Sequence, residues 1–245
     1  MSYLLIIPAR YQSKRFPGKP LKKIHGRELV LRVADRCKSL VNKKDLIIAT
    51  DNTLISKVVK KENLNVIMTS SKCLTGTDRV AEVARKINSK IYVNVQGDEP
   101  LVRPSDIRKI INYKKKYPNH VICGYSKITN IESKKSKNVP KVIFNKKNEL
   151  IYISRALIPS GKSEPKNNIY YKQVCIYAFN KLELKVFSQL SKKTNLEKIE
   201  DIEILRFLDF EKKIKMVKTS KGTVAVDYPR DIKFVEKLIK KNEKR

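Results

Sequence analysis

Short apolar, β-branched runs alternate with amphipathic segments from the first residues of this chain, and no other feature constrains its fold as much. Strands covered on both faces read as continuous Val, Ile and Leu runs, whereas the helices that cover them carry apolar residues three and four apart. The combination predicts a doubly wound α/β architecture, a mostly parallel sheet flanked by helices. Strands are expected over 3–8, 45–50, 64–69 and 90–96, with helices over 28–40, 53–62 and 77–88 between them. In the last of these, Val80, Val83, Ala84 and Ile87 fall on one face, and Thr77 stands where it can cap the start. Pro104-Ser105-Asp106 opens a further helix to about residue 116.

After Tyr117-Pro118 the rhythm changes to strand-like runs over 121–127, 141–145, 150–154 and 170–179, which predict a small antiparallel region inserted at about 121–190. The Ser-, Lys- and Asn-rich stretches 130–138 and 160–168 read as mobile loops. A helix over 196–209 is expected to bury Ile199, Ile202 and Leu205. Strands over 214–219 and 223–226 then precede a last helix on Ile232, Val235, Leu238 and Ile239. At 245 residues the chain suits one large domain over 1–245.

Composition removes several function classes. The apolar run Leu4–Ile7 is followed at once by Arg10, so neither a signal peptide nor a membrane span is expected, and the cytoplasm is the expected compartment. Cys37, Cys73, Cys123 and Cys175 lie far apart without a C-x-x-C, which argues against a zinc ribbon or a redox pair and reads as reduced thiols, mostly in the core. With only His25 and His120, a histidine-rich metal site or a histidine triad is nearly excluded. Any metal must rest on carboxylates and phosphate oxygens, which favours Mg2+. The net charge of +31 invites a nucleic-acid reading. Lys outnumbers Arg more than threefold, however, and is dispersed in short runs such as Lys114-Lys115-Lys116, the pattern of solvated faces. A nucleic-acid partner is therefore not expected, although the field would steer anionic small substrates.

Ligands of open α/β sheets bind where loops leave the carboxyl ends of strands. The first such loop, from Pro8-Ala9-Arg10 to Arg15-Phe16-Pro17-Gly18-Lys19-Pro20-Leu21, gathers Arg10, Lys14, Arg15 and Lys19 and can wrap a triphosphate. It lacks the Walker A spacing. Four of the seven glycines, Gly18, Gly76, Gly97 and Gly222, stand in such loops, where a ligand approaches closely or a turn is tight. Asp98 and Asp227 each follow a predicted strand and can converge on one cation, though either alone could cap a turn.

The N-terminal string resembles the signature of the CMP-Kdo synthetase family, the 3-deoxy-manno-octulosonate cytidylyltransferases. The resemblance continues in order through Ala49-Thr50-Asp51, Thr75-Gly76-Thr77-Asp78-Arg79, Asn94-Val95-Gln96-Gly97-Asp98-Glu99-Pro100-Leu101, Ser154-Arg155-Ala156, Ile176-Tyr177, Leu196-Glu197, Leu205-Arg206 and Gly222-Thr223, covering nearly the whole chain. It implies a nucleotide-diphospho-sugar transferase-like fold, a homodimer, and transfer of CMP from CTP to the anomeric hydroxyl of an acidic 3-deoxy sugar. It further implies that Asp98 and Asp227 hold Mg2+, and that Lys19, Arg10 and Arg15 act on the phosphates. Pro8, Ala9, Ser13, Lys14, Thr69, Gly76, Thr77 and Arg79 would complete the CTP site. Gln96, Arg155, Gln173, Glu197 and Glu200 would hold the sugar acid, with Arg suited to a carboxylate.

Structural roles compete for some of these residues: Arg79 as a surface cation, Thr77 as a plain cap, and Glu200 and Glu203 in a solvated stripe with Glu203 paired to Arg206. The family commonly carries histidine where Gln173 stands, and differs also at Ser70, Cys73, Leu74 and Ile204. These departures touch the sugar and cytidine pockets, which leaves 8-amino-Kdo or another ulosonate as an alternative substrate.

Overall fold

The computed structural model describes residues 2–13, 15–130, 132–162 and 168–243. The loop readings at 130–138 and 160–168 fall partly on residues outside these ranges, as does Lys14.

The N-terminal half alternates as expected. Strand β1 (Tyr3–Ala9) is followed by the short ladder β2 (Lys23–Ile24) and β3 (Arg27–Glu28), helix α1 (Leu29–Cys37), β4 (Leu46–Thr50), α2 (Thr53–Lys61), β5 (Asn65–Met68), α3 (Gly76–Lys86), β6 (Ile91–Val95) and α4 (Pro104–Lys116). The C-terminal half adds β7 (Val121–Lys127), the hairpin β8 (Lys141–Phe144) and β9 (Leu150–Ser154), and β10 (Tyr171–Phe179). Helices α5 (Lys181–Phe187), α6 (Asn195–Glu200) and α7 (Leu205–Asp209), strand β11 (Ile214–Lys218) and α8 (Pro229–Glu243) complete it.

The main sheet runs β11-β7-β10-β6-β1-β4-β5. Its neighbours are parallel except at β10, which lies antiparallel between β6 and β7. Alternation along β1 divides the core. Leu5 and Ile7 pack with α1, α2 and α4 on one face, and Leu4 and Ile6 with α3, α5 and α7 on the other. Burying each such Leu or Ile stabilises by about 1.5–3 kcal/mol, so the two layers fix the sheet firmly. A third cluster joins Phe16 and Leu101 to Val226 and Val235, seating α8 beneath the loop after β1.

Three expectations are corrected, and one helix is new. Helix α3 is capped by Thr75, which forms a capping box with Asp78, so Thr77 lies inside the helix. The expected helix over 196–209 breaks at Asp201, whose φ of 50° is left-handed, and Ile199 is left 72% exposed. No strand forms over 223–226, where the backbone instead spends its polar groups on loop contacts. Helix α5 was not anticipated; its start is the Asn180–Glu183 capping box, and it buries Leu184 and Phe187.

Among the described residues, no helix is long and apolar enough to cross a membrane. The four cysteines are free: Cys37 and Cys123 are buried, Cys73 and Cys175 only partly.

Candidate active site

A cleft of about 1400 Å³ opens at the carboxyl ends of β1 and β6, where the sheet geometry places a ligand. The loop after β1 forms its rim. Gly18 closes that loop by donating its backbone N–H to Tyr11 O at 2.9 Å, with φ at +66° and the Tyr11 ring 3.4 Å from where a Cβ would stand. Phe16 anchors the arch in the α8 cluster, and its N–H donates to Ser13 Oγ at 3.3 Å. Arg10, Ser13, Arg15 and Lys19 thereby line the cleft; Lys14 lies outside the described residues.

Beneath this arch the two aspartates meet. Asp98 leaves β6 through Gly97, where an added Cβ would lie 2.7 Å from Pro8 O, so the two strand ends touch backbone to backbone. Asp98 O accepts from Val226 N at 2.9 Å, bringing the Asp227 segment alongside. The backbone N–H groups of Asp227 and Tyr228 both donate to Asp231 Oδ2 at 2.8 Å in the first turn of α8, which leaves the Asp227 carboxylate facing the cleft. Lys19 Nζ donates to Asp98 Oδ2 at 2.7 Å and to Val226 O at 2.9 Å, and Arg15 lies 3.3 Å from Asp227. Burial, then the Asp98 charge, pushes the Asp227 carboxyl above its ordinary value.

Two mutually repelling carboxylates beside a basic arch suit a divalent cation that also takes phosphate oxygens. No cluster of three His, Cys, Asp or Glu suited to a metal occurs among the described residues, so phosphate and water would have to complete the shell.

Pro8, Ala9 and Gly76 form the wall next to this centre. An added Cβ at Gly76 would lie 2.7 Å from Gln96 Nε2, so the glycine leaves the Gln96 amide its place in the wall. Arg79 borders the cleft but is only 2% exposed, and its guanidinium donates to Asp51, Thr69 Oγ1 and Ser70 O. It ties the ends of β4 and β5 together and is neither the surface cation nor a free ligand. Thr69 accepts from Arg79 and Thr77 from Asn94 Nδ2; both are buried outside the cleft wall, so they support it rather than form it.

At the other end, Gln96 Nε2 donates to Glu203 Oε1 at 2.7 Å, while Glu203 Oε2 accepts from Thr77 N at 2.8 Å. Burial raises the Glu203 carboxyl above its ordinary value. Gln173 Nε2 lies 3.0 Å from Tyr177 Oη, and Cys175 faces the same space. Arg155 donates to three carbonyls, those of Glu200 at 2.6 Å, Lys137 at 2.9 Å and Asp201 at 3.0 Å. Three of its five N–H groups are thus spent on holding it, and two are left for a ligand.

Two expected sugar ligands lie elsewhere. Glu197 is fully buried against Arg206, with two oxygens 2.6 and 2.7 Å from the guanidinium. Glu200 accepts from Ser154 Oγ and Arg155 N, so it supports Arg155 from behind. Arg206 is engaged by Glu197 and Asp78, which excludes the pairing with Glu203. Glu203 and Tyr177 are two cleft residues to which sequence reasoning gave no substrate role. The helical period across 196–209 put Glu203 on the Arg206 face, and only the left-handed Asp201 re-aims it.

Known proteins resemble the chain in sequence and in fold. The model of the family described as cytidylyltransferase matches residues 4–216. A 3-deoxy-manno-octulosonate cytidylyltransferase of Thermodesulfovibrio yellowstonii is 35% identical over 98% of each chain. An 8-amino-3,8-dideoxy-manno-octulosonate cytidylyltransferase of Shewanella oneidensis is 32% identical over 98% of this chain and 99% of its own. A CMP:2-keto-3-deoxy-manno-octonic acid synthetase, solved in complex with CTP, superposes with a TM-score of 0.89 at 31% identity, covering 99% of this chain and 100% of that one.

Proposed function

The chain belongs to the CMP-Kdo synthetase family of cytidylyltransferases, and from that premise we propose that it transfers CMP from CTP to the anomeric hydroxyl of Kdo, releasing pyrophosphate. It is a nucleotidyltransferase. The observation that carries the reading is the meeting of Asp98 and Asp227 under the Arg15–Lys19 arch, with Gln96 leading from them to a polar pocket.

In this reading the triphosphate lies along Arg10, Ser13, Arg15 and Lys19, with the base against Pro8, Ala9 and Gly76. Asp98 and Asp227 would hold Mg2+, which would supply Lewis-acid charge neutralisation at the phosphates. Lys19 and Arg15 neutralise charge that develops on the phosphates, a stabilisation by cations already in place. Arg155 orients the sugar carboxylate, while Gln96, Gln173, Tyr177 and Glu203 meet its hydroxyls. The anomeric oxygen forms its bond to the α-phosphorus as the bridge to the β-phosphate breaks, with no covalent enzyme intermediate.

The second reading is the same transfer to 8-amino-Kdo. The Glu203 carboxyl at the sugar end of the cleft, which can accept from an ammonium, favours it, together with the Shewanella relative. A cytoplasmic role in lipopolysaccharide or surface-glycan synthesis follows from either sugar. We assign the β8–β9 hairpin, where Ile151 is 57% exposed, to a homodimer contact.

A pyrophosphate-release screen of CTP, UTP and ATP against Kdo, 8-amino-Kdo and sialic acid tests the proposal. Release from CTP with one of the octulosonates supports it and names the sugar. Release that ignores the sugar contradicts it.

A further inference from the structure

Lys172 stands on β10 and is only 6% exposed, yet its side chain reaches the cleft wall. Its ammonium donates to Glu132 Oε1 at 2.5 Å and to Thr223 O at 2.6 Å. These acceptors lie on two separate loops. Glu132 belongs to the segment after β7 whose Ser133, Ser136 and Asn138 line the sugar end, and whose Lys137 carbonyl holds Arg155 at 2.9 Å. Thr223 belongs to the segment that ends at Asp227, and that segment is strandless. A loop without a ladder keeps its shape only through individual tethers, so each tether to it sets where Asp227 stands. Lys172 shares that task with Ser220 to Asp106, Val226 N to Asp98 O, Lys19 to Val226 O, and the Asp227 contacts to Asp231 and Arg15.

We propose that Lys172 is a positioning residue that couples the two loops, setting the reach of Asp227 toward the metal and the stance of Arg155 toward the sugar through one buried cation. The inference rests on the cytidylyltransferase reading. Charge-assisted bonds are the strong ones, and a buried ammonium with two acceptors can hold both loops where an apolar side chain of the same length holds neither. An arginine at this position offers enough donors for both acceptors.

The test compares Lys172→Met, Lys172→Arg and Glu132→Ala with the wild-type chain, using Mn2+ binding to the enzyme–CTP mixture by electron paramagnetic resonance, CTP binding without metal, and sugar KM by pyrophosphate release. Lys172→Met should weaken Mn2+ binding and raise the sugar KM, each about tenfold, with metal-free CTP affinity within about twofold. Lys172→Arg should restore both. Glu132→Ala should raise the sugar KM about tenfold and leave Mn2+ affinity within about threefold, because the Thr223 tether remains. A folded Lys172→Met with unchanged Mn2+ affinity overturns the coupling. If that variant does not fold, an unchanged sugar KM in Glu132→Ala overturns it instead. A wild-type chain that binds Mn2+ with CTP but transfers no CMP would refute the functional reading, and the Mn2+ comparison would still judge the tether.

Discussion

Gln96 and Glu203, distant in sequence, are joined by a 2.7 Å hydrogen bond that closes the floor of the cleft, and the same carboxylate accepts from the first turn of α3 at Thr77. Glu197, the more obvious acid by its motif, is spent on Arg206. The two glutamates should therefore fail differently. Glu203→Gln should raise the sugar KM without lowering the thermal midpoint. Glu197→Ala should cost about 3–5 kcal/mol of stability, as expected when one partner of a buried ion pair is removed, with near-normal kinetics in the fraction that folds. Denaturant titration and steady-state kinetics on both variants separate the roles, and the opposite pattern would reverse the assignment.

Burial raises the Glu203 carboxyl, so the native chain holds that proton more tightly than the unfolded chain does. The stability this contributes is complete below the ordinary glutamate range and is lost as pH rises through the raised value. In the metal- and substrate-free protein, Glu203→Gln should accordingly gain stability relative to wild type as pH increases from acid to neutral. Denaturation midpoints measured at several pH values check this; a difference that stays constant with pH contradicts it.

Arg155 is held by three backbone carbonyls with two N–H groups left over. Arg155→Ala should raise the sugar KM about tenfold to a hundredfold, the worth of one or two charge-assisted bonds, and change the CTP KM far less. Equal effects on both substrates would place Arg155 elsewhere in the reaction.

At Gly97 an added Cβ would meet Pro8 O at 2.7 Å, and backbone cannot give way as a side chain can. Gly97→Ala should destabilise by about 1–3 kcal/mol through overpacking. At Gly76 the atom met is Gln96 Nε2, a side-chain terminus, so Gly76→Ala should fold and lose sugar binding instead. Circular dichroism melts with kinetics on both variants distinguish the two cases.

The layered sheet was legible because strand and helix periods are local and nearly every core position obeys them. Strand β7 over Val121–Lys127 and β9 over Leu150–Ser154 match expectation to the residue. The basic arch and Asp98 were legible too, since glycine and charge punctuate the strand ends they follow, whereas the strand expected before Asp227 does not form. The sugar pocket was harder to read. Its geometry depends on Asp201 taking a left-handed conformation that aspartate seldom requires, which breaks the helical period and turns Glu203 inward. Arg79 and Arg206 were equally opaque, because a buried arginine and a surface one look alike until their carboxylate partners are placed.

If Asp98 and Asp227 jointly hold the divalent cation on which transfer depends, loss of either carboxylate should release it. Titrating Mn2+ binding, in the presence of CTP, against the wild type and the single variants Asp98→Asn and Asp227→Asn tests it most directly. Either substitution should abolish both tight Mn2+ binding and pyrophosphate release while the melting transition stays cooperative. A variant that keeps wild-type Mn2+ affinity and turnover would contradict it.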